Sequence, residues 1–594
     1  ESMGVNLGNL AEISPAMIIS KPGYPSCWKF ILSDKSNVTV GKETDKPING
    51  KSSLNITAEA GGSTFEQFVM LEPNTEYEYG MTVDTDKANS VRFVLAERDG
   101  SFADAKYVNA VGKKTYSNTF KTGAGYKRHA FIVMLDLKTD KTVIDNIYVK
   151  RKGDDENLIK NGGFEYYTEP CAENSELAVD SVYLEYVQDS LDRARRLNVP
   201  AVLDMTLHDF PSFVKVAYPE ISAKYSPYAP VNFHHPKVRE VLDIYYKNVL
   251  PVVNSYSDVI TTVCYLNEPE FDTLVNREYF TPLYRDYIKE KYNGDIAYVN
   301  KIYSSDYADF DAFEMPKEYS STAYYYDFKQ FNDSIMIDFQ KFITQNAKRY
   351  APNLKIHYKT MVSNGYSEMK SFMGMGDVIL EETSELSDIF GCDAYACYTR
   401  ANQPVQGKMM AYRYMMSVAD KPIVNSEDHI MPDNFKNFDR KIAQFNAADI
   451  WNGAVYGRSQ SVLWLYARTY NTASYRYCAL LQRPDCISKI GKASLDLQRL
   501  SNEVSALLNK KSVFGILLSE PSRMYNLASM NTAYNIFTSL LNNGKKAEFI
   551  SEKQIEKIND YKILFVPGST HVTKETLKAI YDYSENGGKV VIFN

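Results

Sequence analysis

Two glutamates, Glu268 and Glu427, carry the chemistry for which this sequence can be read. Each closes a run suited to a buried strand. The first run is VITTVCYLNE (259–268), in which five of the first eight residues are Val, Ile or Thr, and Pro269 follows it. β-Branched side chains fit a pleated surface, and the proline removes a ladder hydrogen bond and turns the chain outward. The second run, KPIVNSED (421–428), terminates at Glu427. Taken alone, an Asn-Glu-Pro tripeptide is more often a helix cap or a surface ion pair. Two glutamates at the carboxyl ends of strands that alternate with helices sit where a β/α barrel keeps its reacting groups. Three strand steps apart in an eight-strand ring, they face each other across one mouth. Retaining cleavage of a glycosidic bond uses such a pair at about 5–5.5 Å: one carboxylate attacks the anomeric carbon and the other carboxyl protonates the leaving oxygen. One must be ionised and the other neutral, which burial and like-charge repulsion can arrange.

The elements that must position these groups follow in order. VYLEYVQDSLDRARRLNVP (182–200) places Leu184, Val187, Leu191, Ala194 and Leu197 at helical spacing. AVLDMTL (201–207) is an apolar strand that ends at His208-Asp209. PKVREVLDIYYKNVLP (236–251) is a helix opened by proline. A long amphipathic helix (328–350) precedes the strand LKIHYKTM (354–361), which carries His357 and Lys359. SDIFGCDAYACY (387–398) is a further strand, ending near Asp393 and Tyr395. SVLWLYAR (461–468) carries Trp464 and ends at Arg468. The polar residues stand at the same end of every strand, which is β/α repetition. His208, Asp209, His357, Lys359, Asp428, His429 and Arg468 form a pool of strand-end groups able to bind hydroxyls or an anion. A lone histidine there is more often a supporting or loop residue. His234-His235, just ahead of a helix, read as a solvated pair.

Residues 1–152 are strand-rich and helix-poor. FVMLEPNTEYEYGMTV (68–83), VRFVLAERDG (91–100), HAFIVMLDL (129–137) and VIDNIYVKR (143–151) are separated by turn residues at hairpin intervals, as in a β-sandwich. Trp28, Tyr77 and Tyr79 could stack on a sugar or fill its core. Residues 153–181 read as a linker containing NLIKNGGFE (157–165), a stretch like the opening of another sandwich. From about 509 the pattern alternates apolar strands (512–520, 561–569) with helices (532–544, 573–588).

Bulk properties narrow the function further. A chain of 594 residues exceeds one core. A net charge of −7 without a basic run argues against a nucleic-acid partner. The 46 tyrosines suit sugar-binding surfaces, although most must serve the core. Seven cysteines are scattered with no CxxC pair, and Cys264 and Cys392 lie inside apolar strands as small hydrophobes. There is no HExxH and no GxGxxG after a strand, so neither a metal nor a nucleotide is expected, and no cofactor is assigned. No apolar stretch has membrane length. No signal peptide stands at the start, and export is left open: an extracellular or cell-surface location is the expectation, cytoplasm the alternative.

From about residue 182 onward the chain resembles glycoside hydrolase family 42, the β-galactosidase family of clan A. The resemblance is carried by YLNEPEF (265–271), KYNGDIAYVNKIYSSDYADFDAF (291–313), DFKQFNDS (327–334), SDIFGCDAY (387–395), KPIVNSED (421–428), WNGAVYGRSQSVLWLYAR (451–468) and LDLQRLSNEVSALL (495–508). It implies a (β/α)8 barrel over 182–508, with Glu268 as acid/base and Glu427 as nucleophile. It further implies that Asn267 holds the sugar 2-hydroxyl and that Tyr395 and Trp464 line the sugar subsite, with His208 and His357 as further substrate-binding candidates. Residues 1–152 resemble a carbohydrate-binding jelly roll, through GKSSLNI (50–56), LEPNTEYEYGMTV, FKTG (120–123) and VIDNIYVKR. Residues 509–594 resemble the flavodoxin-like trimerisation domain of the family, cut short, which implies a homotrimer or other homo-oligomer. The family has two barrel strands before the match at 201–207, and too few residues stand between Phe164 and Val182 to supply them. The expectation is that this part of the barrel is missing. The implied partner is an oligosaccharide or polysaccharide, and the implied activity is retaining cleavage of terminal β-galactosides. The rivals are another clan A β-glycanase of agarase-like type and an inactive glycan-binding protein.

Overall fold

The computed structural model describes residues 13–593 apart from 98–104, 124–126, 199, 206, 227–228, 270, 318–319, 321, 361–379, 395, 397–404, 432–437, 465–478 and 526–527. The N-terminal strands form two five-stranded sheets. One sheet runs Lys29–Ile31, Ser63–Leu71, Lys127–Leu135, Val91–Glu97, Lys106–Tyr107; the other runs Thr39–Glu43, Ser53–Ala58, Thr139–Arg151, Glu76–Thr85, Gly112–Lys121. Alternation decides their inner faces: Val91, Phe93 and Leu95 face inward with Phe131, Val133 and Leu135. Trp28, Tyr77 and Tyr79 are buried in this core, with Trp28 stacked on Phe164 at 5.5 Å. They fill the sandwich and present no face to a sugar.

Both ends of the sandwich differ from the sequence expectation. Ile159 and Phe164 belong to its core, so NGGFE closes this sandwich and does not begin a linker. Asn161 shapes that closure, donating to the Ser26 and Tyr166 carbonyls and accepting from the Glu165 amide. At the other end, Ile13, Met17 and Ile18 pack in the barrel's core with Leu177. Ile19–Ser20 pairs antiparallel with Ala178–Val179, and the Tyr245 hydroxyl donates to the Ile13 carbonyl at 2.8 Å. The sandwich is therefore set between two segments that both belong to the barrel, and residues 13–20 are barrel rather than sandwich.

The barrel contributes six parallel strands among the described residues: β1 (Ala201–Asp204), β2 (Ile260–Asn267), β3 (Ile356–Thr360), β4 (Phe390–Cys392), β5 (Ile423–Asp428) and β6 (Arg458–Leu463), adjacent in that order. The connecting helices include α1 (Ser181–Arg196), α2 (Pro236–Asn254), α3 (Ala323–Tyr350), α4 (Val405–Val418) and α5 (Lys441–Tyr456). Helix α2 starts where Pro236 fixes φ and the His235 side chain accepts from the Lys237 amide, so His235 is a cap. Its companion His234 meets the Tyr279 hydroxyl at 3.1 Å. The buried face Val238, Val241, Leu242, Tyr245, Val249 and Val253 repeats at helical spacing. Each such aliphatic side chain contributes on the order of 1.5–3 kcal/mol on burial. Helix α2 packs against α3, and together they back the β2 to β3 region of the sheet. Cys264 and Cys392 are buried within β2 and β4 as small apolar side chains.

The C-terminal segment forms four parallel strands, β7 (Phe514–Leu518), β8 (Ala547–Ser551), β9 (Ile563–Pro567) and β10 (Lys589–Phe593), in the spatial order β8-β7-β9-β10. Its Phe537 and Phe549 share a core with Tyr412 and Met415 of α4, so this sheet is seated on the barrel. Among the described residues no helix is long and apolar enough to cross a membrane.

Candidate active site

Glu268 is the first residue beyond β2. Its φ is +43°, in the left-handed region, although it is not glycine and precedes proline. Such a backbone costs on the order of 1–3 kcal/mol and persists only where neighbours hold it. Here the Glu268 amide donates to the Lys359 carbonyl of β3 at 2.9 Å. The turn leaves Glu268 8% exposed. Asn267, at the very end of β2, is equally buried, and its Oδ1 has no hydrogen-bond partner among the described residues.

Glu427 lies three strands away on β5, as the strand count from the sequence requires. Lys359 bonds its Oε2, and His429 Nε2 stands 3.1 Å from Oε1. Burial by itself pushes the Glu427 carboxyl up. The His429 hydrogen bond and the Lys359 charge outweigh that and hold it down at about 2. The same carboxylate, with Asp204, keeps Lys359 protonated above its ordinary range despite burial. Glu427 is thus a fixed anion with its two oxygens aimed by two partners.

Other groups gather around this pair. The His429 ring stacks on Trp464 with centroids 5.5 Å apart, and the Trp464 amide donates to the Asp428 carbonyl at 2.9 Å. Trp464 therefore stands beside Glu427. His208 is hydrogen-bonded to the Asn267 backbone; burial, with Lys359, lowers its pKa against the pull of Asp204 and Asp209. Asp393, just beyond β4, is buried, and its amide donates to the Thr360 carbonyl at 3.2 Å; burial and the neighbouring Glu268 push its carboxyl above the ordinary range.

His357 does not join them. Two residues below Lys359 on the same face of β3, it is fully buried, with Nδ1 2.9 Å from the Thr262 hydroxyl. Burial and Lys359 push its pKa down to about 3, so it is a neutral packing group in the barrel interior. The sequence placed it in the site because strand direction alone does not say how deep a residue sits. Tyr395 and Arg468 lie outside the described residues. Lys359 and His429 stood in the sequence only as members of a pool. Their i±2 spacing from His357 and Glu427 puts them on the inward face, but which of them reaches Glu427 depends on register between strands.

Residues 203–442 match the family model Glyco_hydro_42, described as Beta-galactosidase. No curated protein matches the sequence. Among solved structures, an apo exo-carrageenase of that family from Bacteroides ovatus is similar at 19% identity and a TM-score of 0.58, over 66% of this chain and 57% of its own. A β-galactosidase from Bacillus circulans sp. alkalophilus is similar at 15% identity and 0.56, over 70% and 64%. One from Rahnella sp. R3 is similar at 15% and 0.55, over 69% and 63%. The chain thus spans less than two thirds of the length of these structures, and at such identities the likeness is one of fold. The fold agrees with the parallel strand order and with a barrel whose carboxyl ends carry Glu268 and Glu427. Over residues 203–442, less than half of the chain, the sequence is thus similar to glycoside hydrolase family 42.

Proposed function

We propose that the protein is a retaining glycoside hydrolase that removes terminal β-galactosyl groups, with Glu427 as nucleophile and Glu268 as acid/base. The observation that carries this reading is the state of Glu427: an ionised carboxylate gripped by Lys359 and His429, with a second carboxyl, Glu268, at the end of a strand three places away. A nucleophile must be ionised and oriented, and the other carboxyl must supply a proton. Trp464 offers an apolar face, and Asn267 offers a hydrogen bond to a sugar hydroxyl. The four-strand order β8-β7-β9-β10 supports a flavodoxin-like reading of 509–594, and with it a homo-oligomer measurable by light scattering.

The experiment is a panel of aryl β-glycosides, with the β-galactoside cleaved fastest and the product anomer retained by NMR. Glu427→Gln abolishes turnover, and azide restores rate to Glu427→Gly. An inverted product, or full activity in Glu427→Gln, would exclude the covalent route. A polymeric galactan is the second reading, favoured by the sandwich docked at the barrel mouth: Lys29 of the sandwich pairs with Asp209, next to His208, at 2.6 Å. Release of galactose from a polymer faster than from small aryl glycosides is its expected sign.

A further inference from the structure

Strand β5 ends in a turn that one carbonyl shapes. The Asp428 carbonyl accepts from the Ile430 amide and from the Trp464 amide just past β6, both at 2.9 Å. The first bond, made two residues on, tightens the chain at His429, and the second hangs Trp464 beside it. Both anchors are firm. Ile430 and Met431 are buried in a core shared with α5, and Lys408 and Arg458 hold the Asp428 side chain. His429 is thereby turned back toward Glu427. Its Nε2 stands 3.1 Å from Glu427 Oε1, and its ring lies on Trp464 with the planes 30° apart. An ionised carboxylate only accepts hydrogen bonds, so Nε2 carries the proton of this contact. The two oxygens of Glu427 are held differently. The Lys359 side chain, on Oε2, is 5% exposed, and the His429 side chain, on Oε1, is 17% exposed. Oε2 is thus tied to the closed side of the mouth, and Oε1 faces the more open one.

We propose that His429 is a positioning residue that sets the attacking oxygen of Glu427, Oε1, and the aromatic wall of Trp464 as one unit. The inference rests on the reading of Glu427 as nucleophile and deepens it. In the first step an Oε1 lone pair forms the bond to the anomeric carbon. The bond to the leaving oxygen breaks, its electron pair goes to that oxygen, and the oxygen takes the Glu268 proton. Oε2 becomes the ester carbonyl, still facing Lys359. In the second step water attacks the same carbon and gives a proton to Glu268, and the pair of the broken bond returns to Oε1. The Nε2 proton is then in place to meet the charge restored there. A sugar packed on Trp464 is registered against Oε1 through one imidazole, so a displaced ring displaces both.

Two replacements separate the tasks of the imidazole. Phenylalanine keeps a ring to lie on Trp464 and has no donor; glutamine places a nitrogen near where Nε2 stood and has no ring. On an aryl β-galactoside, His429→Phe lowers kcat on the order of 10²-fold with KM little changed, whereas His429→Gln lowers kcat about tenfold and raises KM several-fold. The same change of kcat and KM in both variants, or wild-type kcat in His429→Phe, overturns the proposal and leaves His429 a packing residue. Tryptophan fluorescence reads the link without turnover. The chain has 3 tryptophans, and the part of the emission lost in Trp464→Phe belongs to Trp464. Glu427→Gln changes that part, and the change is absent in a His429→Leu background. An emission that Glu427→Gln leaves unmoved overturns the link even if His429→Phe does not fold. A wild-type protein that cleaves no aryl glycoside but shows the emission change overturns the glycosidase reading alone.

Discussion

At the scale of single residues, the site is a division of charge among neighbours. Glu427 would titrate near 4.3 in an unfolded chain and does so at about 2 in place. A depressed carboxyl stabilises the fold above its unfolded value, and that contribution is lost as pH falls through the folded one. The window runs from about 4.3 down to about 2, and the contribution is on the order of 3 kcal/mol. Lys359→Met removes the charge that opposes burial. The acid limb of the kcat/KM profile should then move upward into the ordinary carboxylate range, a shift that pH-rate measurements read directly; an unmoved limb would show that His429 alone holds the anion. Glu268 and Glu427 were legible in the sequence because each stands at the end of a short strand-like run, a local signal. The anchoring of Asp393 and Glu268 on adjacent carbonyls of β3 was not, because it depends on the register of the two neighbouring strands. His357 was misplaced for a related reason: on one face of one strand, a difference of two residues separates the mouth from the interior.

At the scale of elements, Glu427 is aimed by what lies behind it. Asp428, the next residue, points to the opposite face of β5. There it meets Lys408 of α4 at 2.5 Å, Arg458 of β6 at 2.5 Å and the Ser461 hydroxyl at 2.5 Å. Lys408 also holds Asp449 of α5 at 2.7 Å. Two acids and two bases, all nearly without exposure, thus bolt two strands and two helices together. Burial raises Asp449, whereas Lys408 and Arg458 overcome burial to lower Asp428, so the anion is most secure on the residue adjoining the nucleophile. Replacing one partner of a buried ion network leaves an uncompensated charge, which costs about 3–5 kcal/mol. Lys408→Met is expected to lose about that much in denaturant unfolding, with kcat/KM falling as β5 loosens. A loss under about 1 kcal/mol would class the network with exposed pairs. The alternating helices and strands were readable from periodicity. This network was not, since Lys408 falls in a methionine-rich helix and its partners come from three other elements.

At the scale of the whole molecule, the inserted sandwich is fixed to the barrel at several points and is not a tethered appendage. Asp180 caps α1 through the Tyr183 amide at 3.0 Å and accepts from the Cys27 amide of the sandwich's entry at 2.6 Å. The Ser212 hydroxyl, just after the β1 loop, donates to the Phe30 carbonyl at 2.6 Å and accepts from the Leu32 amide at 3.1 Å. Lys29 completes the seam, with 9% of its side chain exposed, between Asp209 at 2.6 Å and Glu66 at 3.7 Å. Asp209 adjoins His208, so the position of the sandwich is felt one residue from the site. A chain that long and polar must be seated on both partners to stay put: Lys29→Met keeps its stem but removes the charge that draws the Asp209 loop to the sandwich. Asp209 remains partly exposed, so the loss of fold stability is small, about 1 kcal/mol or less. The consequence for function is different. A substrate confined to the barrel subsite does not notice the seam, whereas a polymer that runs from the cleft along the sandwich does. For Lys29→Met, kcat/KM on a polymeric galactan should fall about tenfold relative to an aryl galactoside, equivalent to about 1.4 kcal/mol of lost transition-state binding. Equal rates on both substrates would place the path of the polymer away from the sandwich and leave the seam a purely structural joint.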